Sequence, residues 1–210
     1  MTGIQARERA APTRAMKPCL IERQEFEYKR HGTQTLIAAF DVASGKVTGE
    51  VGDSRKEGDF ARFLDKQISS AAAGTKWAIV LDNLNTHLSE SLVRVIAKHL
   101  GIKQASLGQK GKHGILRSMQ TRQQFLTDPG HRITFYFMPK HASWLNQIEI
   151  WFSILARKLI RRGNFTSKAD LKAKINAFIE FFNKTMAKPF KWTYAGKPLT
   201  TGYASKLPLT

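Results

Sequence analysis

Apolar positions along the chain form either short continuous runs, which predict strands, or a three- and four-residue spacing, which predicts helices. The run TLIAAF is followed by a turn at residues 43–45 and a second short run, and this pattern predicts a β-hairpin. The runs WAIVL, residues 77–81, and RITFYFMP, residues 132–139, predict two more strands, because they are short and rich in β-branched and aromatic residues.

Helical spacing recurs between and after these runs. Ser89 and Ser143 stand where an N-cap residue is expected, and Gly163 follows two arginines, an order typical of a helix C-terminus. The segments with helical spacing cover residues 58–73, 88–100, 115–126, 143–162 and about 168–186.

The order of these elements predicts a mixed α/β sheet flanked by helices. Residues 1–32, which contain Pro12 and Pro18, predict a basic arm without a regular element of its own. The main domain is expected at residues 33–165, and a C-terminal helix with an extended tail at 166–210. Residues 101–131 predict a basic insertion. Its segment GQKGKHG does not fit a phosphate-binding loop, so a flexible charged loop is favoured.

The net charge of the chain indicates which class of molecule it binds. The chain has 34 Lys and Arg residues against 16 Asp and Glu residues, a net charge of +18. This excess favours nucleic acid as the partner, although a basic surface that serves only solubility is the alternative. Cys19 is the only cysteine, which excludes an internal disulfide and a thiolate zinc cluster and fits a reducing compartment. No run reaches the roughly 18 apolar residues of a membrane span, and residues 1–24 lack the apolar core of a signal peptide.

Two carboxylates stand where an apolar pattern rarely places a charge. Asp82 directly follows the run WAIVL. Glu149 lies in WLNQIEIWF, where helical positions 145, 149 and 152 share a face, so its side chain is expected beside the stripe that faces the sheet. Such a carboxylate must pair with a cation, bind a metal or reach the edge of the stripe. Since Asp82 and Glu149 can converge from strand end and helix, they predict a site for Mg²⁺ or Mn²⁺.

The segments LDNLNTH and ASWLNQIEIWF resemble the second and third acidic motifs of DDE transposases, and more narrowly those of bacterial insertion-sequence transposases related to the mariner superfamily. Asp82, Asn83 and His87 match a second motif that begins Asp-Asn and has a His five residues after the Asp. Residues 146–149 match a third motif, Asn-Pro-Ile-Glu, with Gln in place of Pro. The segments HGTQTLIAAFDVASGKV, RKLIRRGNFTS and NKTMAKPFKWTYAGKP are also similar to the family, so the resemblance covers nearly the whole chain.

This resemblance implies an RNase H-like fold and metal-dependent cutting and joining of DNA at transposon ends. Asp82 and Glu149 would hold the metals. Asn83, His87 and Asn146 would support the site: the two asparagines would position these carboxylates, and His87 would touch DNA or a substrate phosphate. For the two asparagines a turn cap is the alternative, and for His87 a helix-entry histidine held by the backbone.

Basic residues around the third motif predict a surface that faces phosphate groups, although a solvated helix end explains them nearly as well. These residues are Lys140, Arg157, Lys158, Arg161 and Arg162.

Two features depart from the family pattern. The interval between Asp82 and Glu149 is longer than in many relatives, and the insertion at 101–131 accounts for the excess. The first acidic motif of the family ends in Asp-Glu on a strand just ahead of a segment that resembles MTGIQARER. This strand and the DNA-binding domain before it are therefore expected to be missing. Asp41, which follows TLIAAF, is the alternative first ligand, but its position before VASGK fits a hairpin turn.

The expected function is that of the catalytic domain of a DDE transposase, truncated at its N-terminus and inactive in this form. Two alternatives stay open, a non-catalytic basic DNA-binding remnant and an RNase H-like nuclease that uses Asp41. The expected partners are transposon-end DNA, target DNA and a second copy of the chain, with no membrane. The expected location is the bacterial cytoplasm, at the nucleoid.

Overall fold

The computed structural model describes residues 1, 3–12, 14–23, 25–82, 84–138 and 146–191. The strands of this described part are β1 (Ile4–Arg9), β2 (Tyr28–Phe40), β3 (Val47–Gly52), β4 (Trp77–Leu81) and β5 (Ile133–Phe137). Its helices are α1 (Glu57–Ser70), α2 (Glu90–His99), α3 (Met119–Leu126), α4 (Gln147–Leu155) and α5 (Lys168–Thr185). Helix α4 continues into a π-helical turn at Ala156–Ile160, and 3₁₀ turns cover Asn85–Leu88 and Gln104–Leu107.

The described strands form two hydrogen-bonded groups. β1 and β3 both pair antiparallel with β2, with Ile4 opposite Gln34 on one side and Val47 opposite Phe40 on the other. β4 and β5 pair in parallel, with Trp77 opposite Ile133. This arrangement of antiparallel and parallel strands with flanking helices is consistent with an RNase H-like fold and confirms the predicted α/β class.

Two apolar cores hold the strands and helices together. One contains side chains from α1, α2, α3 and β5, including Phe63, Ile96, Leu126 and Phe135. The other joins β1, β2 and β3 to α4 and α5, with Trp151 at its centre. Burial of large apolar side chains is the dominant stabilising term in such a domain, so these two cores fix the edge at which β4 ends.

The expectation that residues 1–32 contain no regular element is wrong. β1 lies within this segment, and β2 begins at Tyr28, earlier than the hairpin pattern predicts. Ile4 and Ala6 are buried on one face of β1 and alternate with more exposed residues. Two inward positions are too few to stand out as a period-two pattern. Residues 14–23 make only isolated bridges, Arg14 with Arg23 and Lys17 with Leu20.

Residues 101–131, predicted as a basic insertion, are anchored in a core, and the helix expected around residues 115–126 is observed as α3. Leu107, Leu116 and Leu126 in this segment are fully buried in the first core. The segment is therefore a folded part of the domain that packs against α2 and the 3₁₀ turn Asn85–Leu88.

The predicted helices α1, α2 and α5 are confirmed. The Ser89 hydroxyl accepts a hydrogen bond from the backbone N–H of Leu92, as predicted for an N-cap. The described part of α4 begins at Gln147, while Ser143 lies outside the described residues. No helix in the described ranges is long and apolar enough to cross a bilayer.

Candidate active site

Asp82 occupies the position directly after β4, at the carboxyl end of the parallel pair β4–β5. The backbone of β4 is held there by a hydrogen bond from the Met138 N–H to the Leu81 carbonyl, 2.9 Å. The Asp82 side chain is 39% exposed. A carboxylate at a strand end with this exposure can reach a ligand from solvent while its backbone stays fixed by the sheet.

His87 lies against Asp82. Its Nδ1 is 2.7 Å from Oδ1 of Asp82 and 3.2 Å from the Asp82 carbonyl oxygen, and its side chain is only 14% exposed. The ring of Phe60 packs on the imidazole with 4.4 Å between ring centroids. His87 is thus fixed by a ring contact and by a carboxylate at once, and a donated Nδ1–H orients the Asp82 carboxylate.

Glu149 lies in the first turn of α4 and is exposed. Its N–H donates to the carbonyl of Asn146, 3.0 Å, while the Asn146 side chain makes no cap hydrogen bond. Trp151 and Leu155 are the buried residues of this helix, and Glu149 lies outside the stripe that they form. The sequence left three possibilities for this carboxylate: pairing with a cation, binding a metal, or lying at the edge of the apolar stripe. Its exposed position corresponds to the third.

The amine of Met1 brings Asp82 and Glu149 into one electrostatic environment. It donates a hydrogen bond to the Leu36 carbonyl, 3.0 Å, on the half of β2 that pairs with β3. Burial lowers the pKa of this amine, the carboxylate of Glu149 raises it, Arg55 lowers it, and the carboxylate of Asp82 raises it. A cation at this point therefore interacts with both acidic side chains.

Arg55 is a member of this environment that the sequence analysis missed. It is exposed in the connection between β3 and α1, and its charge acts on the Met1 amine. No local motif marks it, since the segment GDSRKEGD reads only as a polar turn. Its effect on the Met1 amine depends on how the connection after the hairpin β2–β3 lies relative to β1, which residues close to Arg55 in sequence do not determine.

Asp41 is engaged in the turn between β2 and β3. Its Oδ1 accepts from the Ala43 N–H at 3.0 Å and its Oδ2 from the Ser44 hydroxyl at 2.5 Å. The Gly45 N–H donates to the Asp41 carbonyl, 2.7 Å. These contacts are the turn chemistry that the sequence offered as the alternative to metal binding.

The predicted basic surface near α4 is solvent-facing where the structure describes it. Arg157, Lys158, Arg161 and Arg162 are all exposed, in and just after the π-helical turn. Arg157 donates through Nε to the Ser153 carbonyl, 3.3 Å. Asn83 and Lys140 lie outside the described residues.

The donor set at this edge suits a hard divalent cation in type, since it consists of carboxylate oxygens. Within the described ranges, no three His, Cys, Asp or Glu residues are grouped so that they could hold a metal ion. Asp82 and Glu149 are the two carboxylates that the sequence predicts as metal ligands, and both act electrostatically on the Met1 amine.

Comparison with known proteins identifies the family but supplies no individual relative. No curated protein and no solved structure matches the chain. A family model described as DDE superfamily endonuclease matches residues 2–172, a range that contains both Asp82 and Glu149. The chain therefore belongs to the DDE superfamily endonucleases.

Proposed function

We propose that this chain is the catalytic domain of a bacterial insertion-sequence transposase related to the mariner superfamily, which cuts and joins DNA at transposon ends. The observation that carries the proposal is that two carboxylates from separate elements both act electrostatically on the Met1 amine. Asp82 after β4 and Glu149 in α4 both raise the pKa of the Met1 amine. Family membership supports an endonuclease that acts on DNA.

In this proposal Asp82 and Glu149 are the ligands of Mg²⁺ or Mn²⁺. A bound divalent cation would supply positive charge at the scissile phosphate and at the leaving oxygen. His87 holds the Asp82 carboxylate in orientation through Nδ1, and Asn146 begins the helix that carries Glu149. Arg55, whose charge acts on the same amine as the two acids, is the proposed contact for a DNA phosphate.

A third carboxylate is needed to position ions for phosphodiester chemistry. We infer that it belongs to a strand that precedes Met1 in a longer chain and lies between β2 and β4. Two observations support this strand. Among the described residues, β4 has β5 as its only partner strand, and the edge of β2 from Leu36 to Phe40 that faces away from β3 has no partner strand. The Met1 amine already bonds Leu36 at that edge.

It follows that the 210-residue chain does not cleave or join DNA by itself. Two carboxylates hold one Mg²⁺ weakly, because this ion keeps most of its waters unless more ligands are present. Unpaired strand edges also leave backbone groups without partners, which lowers stability. A non-catalytic DNA-binding remnant is the second candidate, and the lack of a three-ligand group in the described ranges favours it.

DNA is the proposed partner whether the chain is a catalytic domain or a non-catalytic DNA-binding remnant. The net charge of +18 supplies an attraction for phosphate that does not depend on sequence. Arg157, Lys158, Arg161 and Arg162, together with Lys140, form the proposed phosphate-facing surface. We also infer a bacterial cytoplasmic location at the nucleoid and a homodimer that brings two DNA ends together.

The deciding experiment compares the 210-residue chain with a longer chain in which a strand ending in Asp-Glu precedes Met1. Nicking of supercoiled plasmid is measured with Mg²⁺ and with EDTA. The longer chain is expected to nick in Mg²⁺ only, to melt at a higher temperature, and to lose nicking on Asp82→Asn or Glu149→Gln. Robust nicking by the 210-residue chain that is lost on Asp41→Asn would overturn the ligand assignment. No nicking by either chain, with DNA binding intact, would favour the non-catalytic remnant.

A further inference from the structure

The insertion at residues 101–131 carries a fixed group of cations that the proposed chemistry does not use. We define its basic tip as residues 108–117, which contain Lys110, Lys112 and Arg117 and no acidic residue. All three cations are exposed. Within the described ranges none of them forms an ion pair. Basic residues on α1 and α2 differ in this respect, since three of them pair with acidic side chains: Arg62 with Asp59, Arg94 with Glu90, and Lys98 with Asp65. The tip is therefore a site of uncompensated positive charge.

The backbone of the tip is rigidly built. The Gln109 N–H donates to the His113 carbonyl at 3.0 Å, and the Gly111 N–H to the Arg117 carbonyl at 3.1 Å. The loop closes on itself at Gly108, where a Cβ would come within 2.2 Å of the His113 carbonyl oxygen. On both sides the chain is anchored by Leu107 and Leu116, which are fully buried. A rigid loop that presents cations loses little conformational entropy when a ligand binds.

The course of the chain sets the position of the tip. Helix α2 ends at the edge where β5 begins, because Arg132 donates through NH2 to the His99 carbonyl, 2.7 Å. Helix α3 ends at the same edge, since the ring of Phe125 in its last turn packs on that of His131, just before β5, with 4.9 Å between ring centroids. The segment that joins the end of α2 to the start of α3 must therefore run toward the opposite edge of the β4–β5 pair, the edge at which β4 ends. Consistent with this path, α3 contacts the 3₁₀ turn Asn85–Leu88, which follows Asp82.

The basic tip thus lies toward the edge of β4–β5 that carries Asp82 and His87. We propose that Lys110, Lys112 and Arg117 of this tip bind phosphates of the DNA duplex that reaches the Asp82–Glu149 edge. The inference rests on the proposed function, because it takes DNA as the substrate at that edge. The uncompensated positive charge favours a duplex backbone, because its phosphates are negatively charged, and the hydrogen-bonded loop holds the three cations on one segment. Contacts to phosphates do not depend on base sequence, so they position the duplex without discriminating between DNA sequences.

The test removes three charges at the tip and three elsewhere. The tip variant carries Lys110→Gln, Lys112→Gln and Arg117→Gln in the 210-residue chain. The matched control carries Lys66→Gln, Lys76→Gln and Lys103→Gln, three exposed lysines near the opposite edge, which form no ion pair within the described ranges. Both variants lose the same net charge. A third variant, Lys110→Arg, Lys112→Arg and Arg117→Lys, keeps the charge and checks that the loop itself is unharmed.

Binding of a labelled DNA duplex is titrated between low and moderate salt, and the slope of log K against log salt is measured. We expect the slope of the tip variant to become shallower by about 0.9 for each lost phosphate contact, up to about 2.7 for three. The matched control should change by less than half of that, and the charge-preserving variant should keep the wild-type slope. Thermal melting verifies that all four chains are folded.

Equal losses in the tip variant and the matched control would overturn the inference while leaving the proposed function intact. Absence of DNA binding by the wild-type chain would overturn both. A tip-dependent slope together with an inactive longer chain would support the inference and reject catalysis.

Discussion

Nδ1 of His87 lies 2.7 Å from Oδ1 of Asp82, and the two residues are joined by a short 3₁₀ turn that begins just after β4. The same pairing occurs between His99 and Asp65, also at 2.7 Å, where α2 meets α1. Asp82 of the first pair acts electrostatically on the Met1 amine together with Glu149, whereas neither residue of the second pair is a cause of the pKa shift of that amine. Comparison of the two pairs can therefore test a positioning role for His87 against a purely structural one.

His87→Ala should weaken binding of Mn²⁺ by the chain by roughly 10- to 100-fold, the usual loss when a partner that orients a metal ligand is removed. The reason is that the Asp82 carboxylate is no longer held by the imidazole. Titration with Mn²⁺, monitored by electron paramagnetic resonance of the free ion, measures the affinity. His99→Ala is the matched control and should leave Mn²⁺ affinity unchanged. Equal effects from both substitutions would assign His87 a structural role alone.

Asp82→Asn and Glu149→Gln should each remove most of the Mg²⁺-induced rise in melting temperature. If both carboxylates hold one ion, the double variant loses little more than either single variant, because the interaction is already gone. Differential scanning calorimetry with and without Mg²⁺ gives the shifts. Asp41→Asn should keep the wild-type shift, since its carboxylate bonds Ala43 and Ser44 in the turn. Strictly additive losses would mean that Asp82 and Glu149 bind separate ions.

Local patterns made much of the fold predictable. The run WAIVL becomes β4, and the Ser89 cap fixes the start of α2, because each depends on residues close in sequence. β1 was not predictable in the same way. Its pairing with β2 joins residues between 19 (Arg9 with Tyr28) and 30 (Ile4 with Gln34) positions apart and changes register between Gln5 and Arg7, so no local period marks it.

The site was predictable to a similar extent. Asp82 and His87 lie five residues apart, and a short turn brings them together without help from the rest of the fold. The exposed position of Glu149 was not predictable from helical spacing alone. It depends on which side of α4 meets α5, and contacts of Trp151 with Phe178 and Phe182 decide that. Arg55 reaches the site only through the hairpin, so only the folded chain reveals it.

Asp65→Asn should destabilise the chain at neutral pH by about 0.5–1 kcal/mol, a typical value for a partly exposed pair. Burial alone would raise the pKa of Asp65, but hydrogen bonds from His99 and Lys98 and the charges of both outweigh it, so the pKa lies below its usual value of 3.8. Because the folded-state pKa is lowered, the stabilisation is present above about pH 3.8 and is lost as the pH falls through the lowered value.

Urea unfolding of the wild-type chain and the Asp65→Asn variant across this range measures the difference. The gap in unfolding free energy should be constant near neutral pH and close below pH 3.8. A gap that persisted in acid would indicate that Asn at this position disturbs packing between α1 and α2 rather than removing a charge.

Gly45→Ala should destabilise the chain by about 3 kcal/mol or more, well beyond an ordinary surface substitution. Gly45 has a φ of +72°, and a Cβ there would meet the Lys188 carbonyl oxygen at 1.9 Å. Gly74→Ala is the matched control, because its φ is +83° with nothing within 4 Å of an added Cβ. This control should cost only the roughly 1–2 kcal/mol of a left-handed backbone. Thermal melting of both variants separates steric clash from backbone strain, and equal costs would contradict the packing of residue 188 on the hairpin turn.

Arg161→Glu combined with Arg162→Glu should weaken binding to every DNA duplex tested, with a salt slope shallower by about 1.8 if both arginines contact phosphates. Both side chains are exposed just beyond the π-helical turn that extends α4, the helix that carries Glu149. Lys172→Glu combined with Lys184→Glu is the matched control, since these exposed lysines on α5 form no ion pair within the described ranges and give the same change in charge. Fluorescence anisotropy with duplexes of unrelated sequence, at several salt concentrations, measures both effects.

A uniform loss across sequences that is confined to the arginine variant assigns residues 161 and 162 to the phosphate-facing surface. If the lysine variant weakens binding as much, the two arginines are only a solvated helix end, and the attraction to DNA belongs to the chain's net charge as a whole.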